Sequence, residues 1–296
     1  MTTPLEPVPP KFGDYLELTK PRLSMLSVFT VLVGYLAARP AHDLGRFALV
    51  VVGTLLAAGG VAALNQWMER DTDARMKRTS DRPIPSGKVP DGSAFVMGTL
   101  MCIASLFLLF ALVNPLSALF TLLTIISYLL WYTPAKRWSR WSTEIGALAG
   151  AFPPLIGWAA GEGRVTALGR ILFGVLFFWQ IPHFMAVAWT YRRDYSTVDF
   201  PMLPVRDESG RWVAAWSLVT TLCLVAVSLL PTVLGLASRY YFAAAAVCGA
   251  WFLWRALQFL RAEGRDLAAR KLFLASIAYL PLVLIALVAD RLIFTP

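Results

Sequence analysis

Residues 64–88 read LNQWMERDTDARMKRTSDRPIPSGK, and within them an amide and two carboxylates recur at every fourth position: Asn65, Glu69 and Asp73. On an α-helix each step of four advances the side-chain direction by only about 40°, so the three oxygen-bearing groups fall along one face over two turns. Asp71 points roughly the other way. Bases follow at once, at Arg75, Lys77, Arg78, Arg82 and Lys88. These are the parts needed to hold a phosphate through magnesium: the ion takes a few carboxylate or amide oxygens and leaves positions for water and phosphate. Arg and Lys then take the remaining phosphate oxygens. A solvated helix end running into a basic loop has the same composition.

A second acidic cluster stands in WQIPHFMAVAWTYRRDYSTVDFPMLPV, residues 179–205, where an apolar run meets Arg192, Arg193, Asp194 and Asp199. Asp194 and Asp199 are five apart, a poor spacing for one helix face. They converge if the helix ends near Tyr195 and the chain turns before Pro201. Two acidic clusters on one side of a membrane, each beside bases, point to a diphosphate bridged by magnesium between them.

The elements that carry these residues are set by composition. Hydrophobic residues make up 57% of 296, charged residues only 15%, and mean hydropathy is +0.61, far outside the range of a soluble domain. Nine apolar runs account for most of the chain, at about 23–38, 47–68, 93–113, 115–132, 143–160, 170–190, 213–233, 241–259 and 271–289. Backbone groups in lipid must be satisfied within their own segment, so each run is read as a helix. The expected fold is all-α: a polytopic bundle with a tail and short interfacial helix over 1–22 and a single membrane domain over 23–296. VNPLS at 113–117 leaves almost no loop between two runs, and no amino-terminal signal peptide is evident. Of 27 Lys and Arg, 21 fall on the side shared by the amino terminus and alternate loops. That asymmetry places the amino terminus and both acidic clusters in the cytoplasm and the carboxyl terminus outside, in a cell (inner) membrane. The net charge of +9 then answers to anionic lipid and requires no nucleic acid. Cys102, Cys223 and Cys248 all lie in apolar runs without a pairing pattern and read as packing residues.

The motifs LTKPRLSMLSVFTVLVGY, NQWMERDTDARMKRTSDRPIPSGK, YTPAKR, GALAGAFPPLIGW and WQIPHFMAVAWTYRRDY with FPMLPV occur in this order from Tyr15 to about Pro204. In them the chain resembles the UbiA-type intramembrane prenyltransferases and, within these, the protohaem IX farnesyltransferases. Their NxxxDxxxD motif appears as Asn65, Glu69 and Asp73, with Glu in place of the central Asp. Asp194 matches the second motif, Asp199 falls one residue beyond a DxxxD spacing, and the segment near Ser142 departs from the pattern. The resemblance implies nine transmembrane helices around a cavity open to lipid and capped by cytoplasmic loops. It implies transfer of a farnesyl group from farnesyl diphosphate to the 2-vinyl group of haem b, with water, giving haem O and diphosphate. Mg2+ would be held by Asn65, Glu69, Asp73, Asp194 and Asp199. Arg78, Arg82, Lys88, Lys136 and Arg137 would stabilise the leaving diphosphate, and exclusion of water would protect the allylic cation. A haem A synthase is the partner this reading suggests.

Of the two histidines, His42 lies on the outer side near Asp43 and reads as a surface residue. His183 follows Pro182 in the sixth run, within the PHF element that matches the haem-specific part of the family pattern. Ligation of haem iron, a hydrogen bond to a propionate, and steering of the terminating water are all open to it, as is a structural bond to a nearby carbonyl. Three other activities fit parts of the sequence. A quinone-precursor or chlorophyll-type acceptor would keep the fold and change the product. A CDP-alcohol phosphotransferase fails because MERDTDAR lacks its Asp-Gly. A secondary transporter would place acids near the bilayer midplane within inverted repeats, whereas here they gather at cytoplasmic helix ends.

Overall fold

Long apolar stretches leave the backbone one way to satisfy its polar groups in lipid, and in the computed structural model every element is helical. The structure describes residues 10–38 and 43–294; His42 lies outside them. The elements are α1 (Phe12–Leu18), α2 (Pro21–Ala37), α3 (Leu44–Asp73), α4 (Asp91–Leu112), α5 (Pro115–Ile126), α6 (Thr133–Trp138), α7 (Ser142–Ala151) and α8 (Pro153–Glu162). They continue with α9 (Ala167–Thr190), α10 (Arg192–Ser196), α11 (Leu203–Arg206), α12 (Arg211–Val233), α13 (Arg239–Leu260) and α14 (Arg265–Ile293).

Seven described helical stretches are long and apolar enough to cross a membrane: α3, α4, the stretch Pro115–Trp138, α9, α12, α13 and α14. The chain is an integral membrane protein. Two of the nine expected spans differ from the rest. The first, α2, is a 17-residue helix. The fifth is no continuous helix at all: α7 and α8, ten residues each, meet at Phe152–Pro153. Pro153 and Pro154 supply no amide hydrogens to the carbonyls one turn back, so the ladder of helical bonds is interrupted there although Phe152 keeps helical angles.

Sequential helices pack side by side, and α14 packs on both α9 and α2, which closes the ring. Small residues set the closest approaches. A Cβ on Gly157 of α8 would stand 1.8 Å from the Val31 carbonyl of α2, and one on Gly34 of α2 would stand 2.0 Å from the Pro154 carbonyl. Gly60 of α3 and Gly98 of α4 abut in the same way. Without a hydrophobic drive between helices in lipid, such backbone contact is what holds them together. Outward faces carry exposed Leu100, Phe107, Phe110, Val247 and Ile285, as a lipid-facing surface requires.

Two local features position the site. The 30 residues of α3 span about 45 Å against a hydrocarbon core of about 30 Å. The helix is thus roughly 15 Å longer than a span requires, and Asn65, Glu69 and Asp73 occupy its last turns. Between α5 and α6 the helix widens to π geometry over Ser127–Tyr132, with the Thr133 amide bonded to the Tyr128 carbonyl. Pro134 cannot donate to the Leu130 carbonyl, which favours the wider turn. Lys136 and Arg137, expected in a loop, therefore sit on a helix.

Candidate active site

At the end of α3, Asn65, Glu69 and Asp73 are almost wholly buried, at 2%, 5% and 1% exposure, and each meets a partner from a different segment. Asn65 donates from Nδ2 to Thr133 Oγ1 at 3.1 Å, and its Oδ1 accepts from Lys20 Nζ at 3.3 Å. Glu69 Oε1 accepts from Lys136 Nζ at 2.7 Å. Asp73 Oδ2 accepts from Arg82 Nη1 at 2.6 Å. The loop after α3 is tied back to it, because Thr79 Oγ1 donates to the Asp73 carbonyl at 2.9 Å. Asp71 is exposed and pairs with Arg70 at 3.9 Å, on the far face as its spacing requires.

The second cluster reaches the first through that loop. The Lys77 amide donates to Asp194 Oδ1 at 3.2 Å, and Arg78 Nε lies 3.9 Å from Asp194 Oδ2. Arg78 also donates to the Tyr195 hydroxyl at 3.3 Å and lies over the rings of Tyr191 and Tyr195. Met76 packs among Ala188, Val198 and Phe200. Asp199 behaves differently: it is exposed, its backbone is left-handed at φ 54, and its carboxylate makes no hydrogen bond or ion pair among the described residues. Lys88 is exposed as well. Arg137 donates to the Met68 carbonyl at 3.0 Å and so stands on the rim, touching the α3 backbone and not an acid.

Sequence reasoning missed Lys20, which it counted only as a basic residue of the tail. Lys20 caps α2 in a left-handed conformation at φ 45 that carries its chain inward. Gln66 secures the turn by donating to the Leu18 carbonyl at 2.8 Å. Burial and the nearby Arg82 guanidinium pull the Lys20 ammonium down to about 7. A lysine directly before a proline at a helix start was the available signal. Tyr128 and Tyr132 were missed too; Lys136 Nζ lies 4.5 Å from the Tyr132 ring centroid.

Beneath this polar cap lies an apolar cavity of about 150 Å3 with an open mouth. Lys20 and Tyr128 stand at its polar end. Its apolar walls come from α2, α3 and α8, including Leu23, Ala57, Val61 and Ile156, and from Gly150 and Pro153 at the α7–α8 break.

Whether a divalent ion fits is decided by the donors. Asp73 Oδ1 and Asp194 Oδ2 are buried and have no hydrogen-bond partner, and an unmet buried carboxylate oxygen is costly unless a cation or donor meets it. Hard oxygen donors suit magnesium. Among the described residues no three acids, histidines or cysteines stand close enough to cage an ion on their own. Three carboxylates (Glu69, Asp73, Asp194) face three permanent cations (Arg78, Arg82, Lys136) and Lys20, so the cluster turns net positive as Lys20 takes up its proton. It suits an ion delivered with a polyanion better than a bare cation.

This geometry, acids and bases closing the mouth of an apolar cavity in a helical membrane bundle, coincides with a family match. Residues 27–277 match the model of the UbiA prenyltransferase family. The chain belongs to that family. A Protoheme IX farnesyltransferase of Opitutus terrae is 75% identical over 282 residues, covering 95% of this chain and 96% of that protein. Among solved UbiA-fold structures, a digeranylgeranylglyceryl phosphate synthase superposes with a TM-score of 0.80 at 18% identity, over 94% of this chain and 98% of its own. A UbiA homolog from Archaeoglobus fulgidus bound to GPP and Mg2+ superposes with a TM-score of 0.59 at 16% identity, over 93% and 99%. At these identities the structural likeness speaks for the fold. As a UbiA prenyltransferase the chain is an enzyme whose substrate carries an isoprenoid.

Proposed function

We propose that this enzyme transfers a farnesyl group from farnesyl diphosphate to the 2-vinyl group of haem b, producing haem O. The observation that carries the reading is the pair of buried oxygens without a hydrogen-bond partner, Asp73 Oδ1 and Asp194 Oδ2, within a cluster of bases at the mouth of an apolar cavity. Identity of 75% to a protein named Protoheme IX farnesyltransferase supports the acceptor.

Asn65, Glu69, Asp73 and Asp194 would hold Mg2+ together with the diphosphate, with Asp199 the outermost candidate. The ion, when bound, neutralises charge on the leaving diphosphate. Lys20, Arg78, Arg82 and Lys136 take diphosphate oxygens, and Lys88 and Arg137 add positive potential from the rim. An arriving polyanion favours the charged form of Lys20. The farnesyl chain lies along the apolar walls towards Ile156. As the bond from C1 to the diphosphate oxygen breaks, C1 becomes allylic and cationic, and the terminal vinyl carbon bonds to it. Positive charge passes to the inner vinyl carbon, where water adds and loses a proton, leaving the hydroxyl. The capping contacts of Arg82 and Lys136 keep bulk water from C1 until that bond has formed. His183 lies on the acceptor side. The active-site loops and amino terminus are cytoplasmic, residues 23–296 form one membrane domain, and the product's next consumer is a haem A synthase.

The test is direct. Purified full-length protein with Mg2+, farnesyl diphosphate and haem b should yield a hydroxyethylfarnesyl haem by mass, and EDTA should abolish it. Unmodified haem, under conditions where both substrates demonstrably bind, would reject the acceptor.

A further inference from the structure

His183 projects from α9 into an aromatic setting. Trp179 stacks on its ring at 4.8 Å between centroids, and Phe184 and Phe273 stand at 5.1 Å. Its Nδ1 lies 2.7 Å from Ser276 Oγ on α14. That hydroxyl has one proton, and it is already committed, because Ser276 Oγ lies 2.6 Å from the Phe273 carbonyl, which can only accept. Ser276 Oγ therefore accepts from His183, and the imidazole proton is on Nδ1. The Ser276 backbone is itself fixed, since Trp179 Nε1 donates to its carbonyl at 2.8 Å. Nε2 is left as a bare lone pair with no hydrogen-bond partner among the described residues, on a ring that is only half-buried.

The position is suited to an acceptor. Gln180, three residues back and about 60° round the helix, donates to the Ala147 carbonyl at 3.2 Å and abuts Gly150, which lines the apolar cavity. His183 itself stands between α9 and α14, one helical turn from the glutamine that packs behind the Gly150 wall of that cavity. An aromatic setting with one unprotonated imidazole nitrogen suits a metalloporphyrin, and a ligating histidine ordinarily donates its other ring nitrogen to a fixed acceptor.

We infer that Ser276 is a positioning residue that holds His183 with its proton on Nδ1, so that Nε2 is the atom offered to the iron of the haem acceptor. The inference rests on the proposed acceptor, and its test separates the two. With histidine labelled by 15N in the full-length chain in lipid, His183 is assigned by its loss in His183→Gln, since the chain holds only two histidines. Nδ1 should show a protonated shift and Nε2 an unprotonated one, and Ser276→Ala should admit the opposite tautomer. A protonated Nε2 in the unaltered protein overturns the inference even if the variant fails to fold. Added ferric haem b should give the electron paramagnetic resonance signature of nitrogen-ligated iron. His183→Ala should lose that signature and regain it with imidazole, and Ser276→Ala should weaken haem binding about 10-fold. An unchanged iron spectrum in His183→Ala overturns ligation, whether or not farnesyl haem still forms. Absence of haem binding in the unaltered protein would instead overturn the acceptor assignment.

Discussion

At the scale of single residues, Glu69 and Asp73 at the end of α3 are each held by a base from beyond that helix, and one oxygen of Asp73 stays open. Asp73 shows this most clearly: Oδ2 is bound to Arg82, and Oδ1 is buried without a partner. Asp73→Asn keeps the shape and removes the charge. The expected loss in kcat/KM is at least about 100-fold, comparable with removal of one pre-organised transition-state contact. Steady-state assay of diphosphate release measures it. Lys136→Met differs, because it strands Glu69 as an unpaired buried charge. Breaking such a pair costs about 3–5 kcal/mol, so the variant should melt several degrees lower in detergent as well as losing activity. Lys88→Ala, at an exposed position, should change kcat/KM less than about threefold. Equal losses at Lys88 and Lys136 would contradict the division between rim and interior.

At the scale of elements, the α2–α8 contact supports the cavity wall and leaves no room for a side chain at Gly157 or Gly34. Gly157→Ala should lower stability by about 1–3 kcal/mol through overpacking, seen as a reduced melting temperature and less cavity-bound prenyl substrate. Gly13→Ala, with open space around its Cβ, is the control. Much of this level was legible in the sequence. The apolar runs located the helices because lipid leaves the backbone no alternative, and the four-residue spacing of Asn65, Glu69 and Asp73 placed them on one buried face. What escaped it depended on tertiary contact. The break at Phe152–Pro153 was carried by two prolines inside a run apolar enough to read as one span. Lys20 became a site residue only through a left-handed turn and the Gln66 bond to Leu18. Asp199 matched by near-spacing, yet its turn leaves it outside the network, whereas Asp194 is drawn in by the Lys77 amide.

At the scale of the molecule, the acid clusters gather at one end of the bundle, above an apolar chamber. The proposed orientation, with the more basic loops in the cytoplasm, is open to direct labelling. In a background lacking Cys102, Cys223 and Cys248, Lys88→Cys should react with an impermeant thiol reagent only from the cytoplasmic face, and Arg164→Cys only from the outer face. Reaction of both from the same face would contradict the bundle's topology.

The central claim is that the end of α3 and the end of α9 with α10 share one metal-bound diphosphate. Farnesyl diphosphate affinity, measured with Mg2+ and with EDTA, for the unaltered protein, Asp73→Asn, Asp194→Asn and the double variant, tests it most directly. Groups sharing a ligand couple. Each single change should therefore remove most of the Mg2+-dependent affinity, and the double should lose little more. Losses that simply add, or an Asp194→Asn protein that retains full Mg2+-dependent binding, would contradict it.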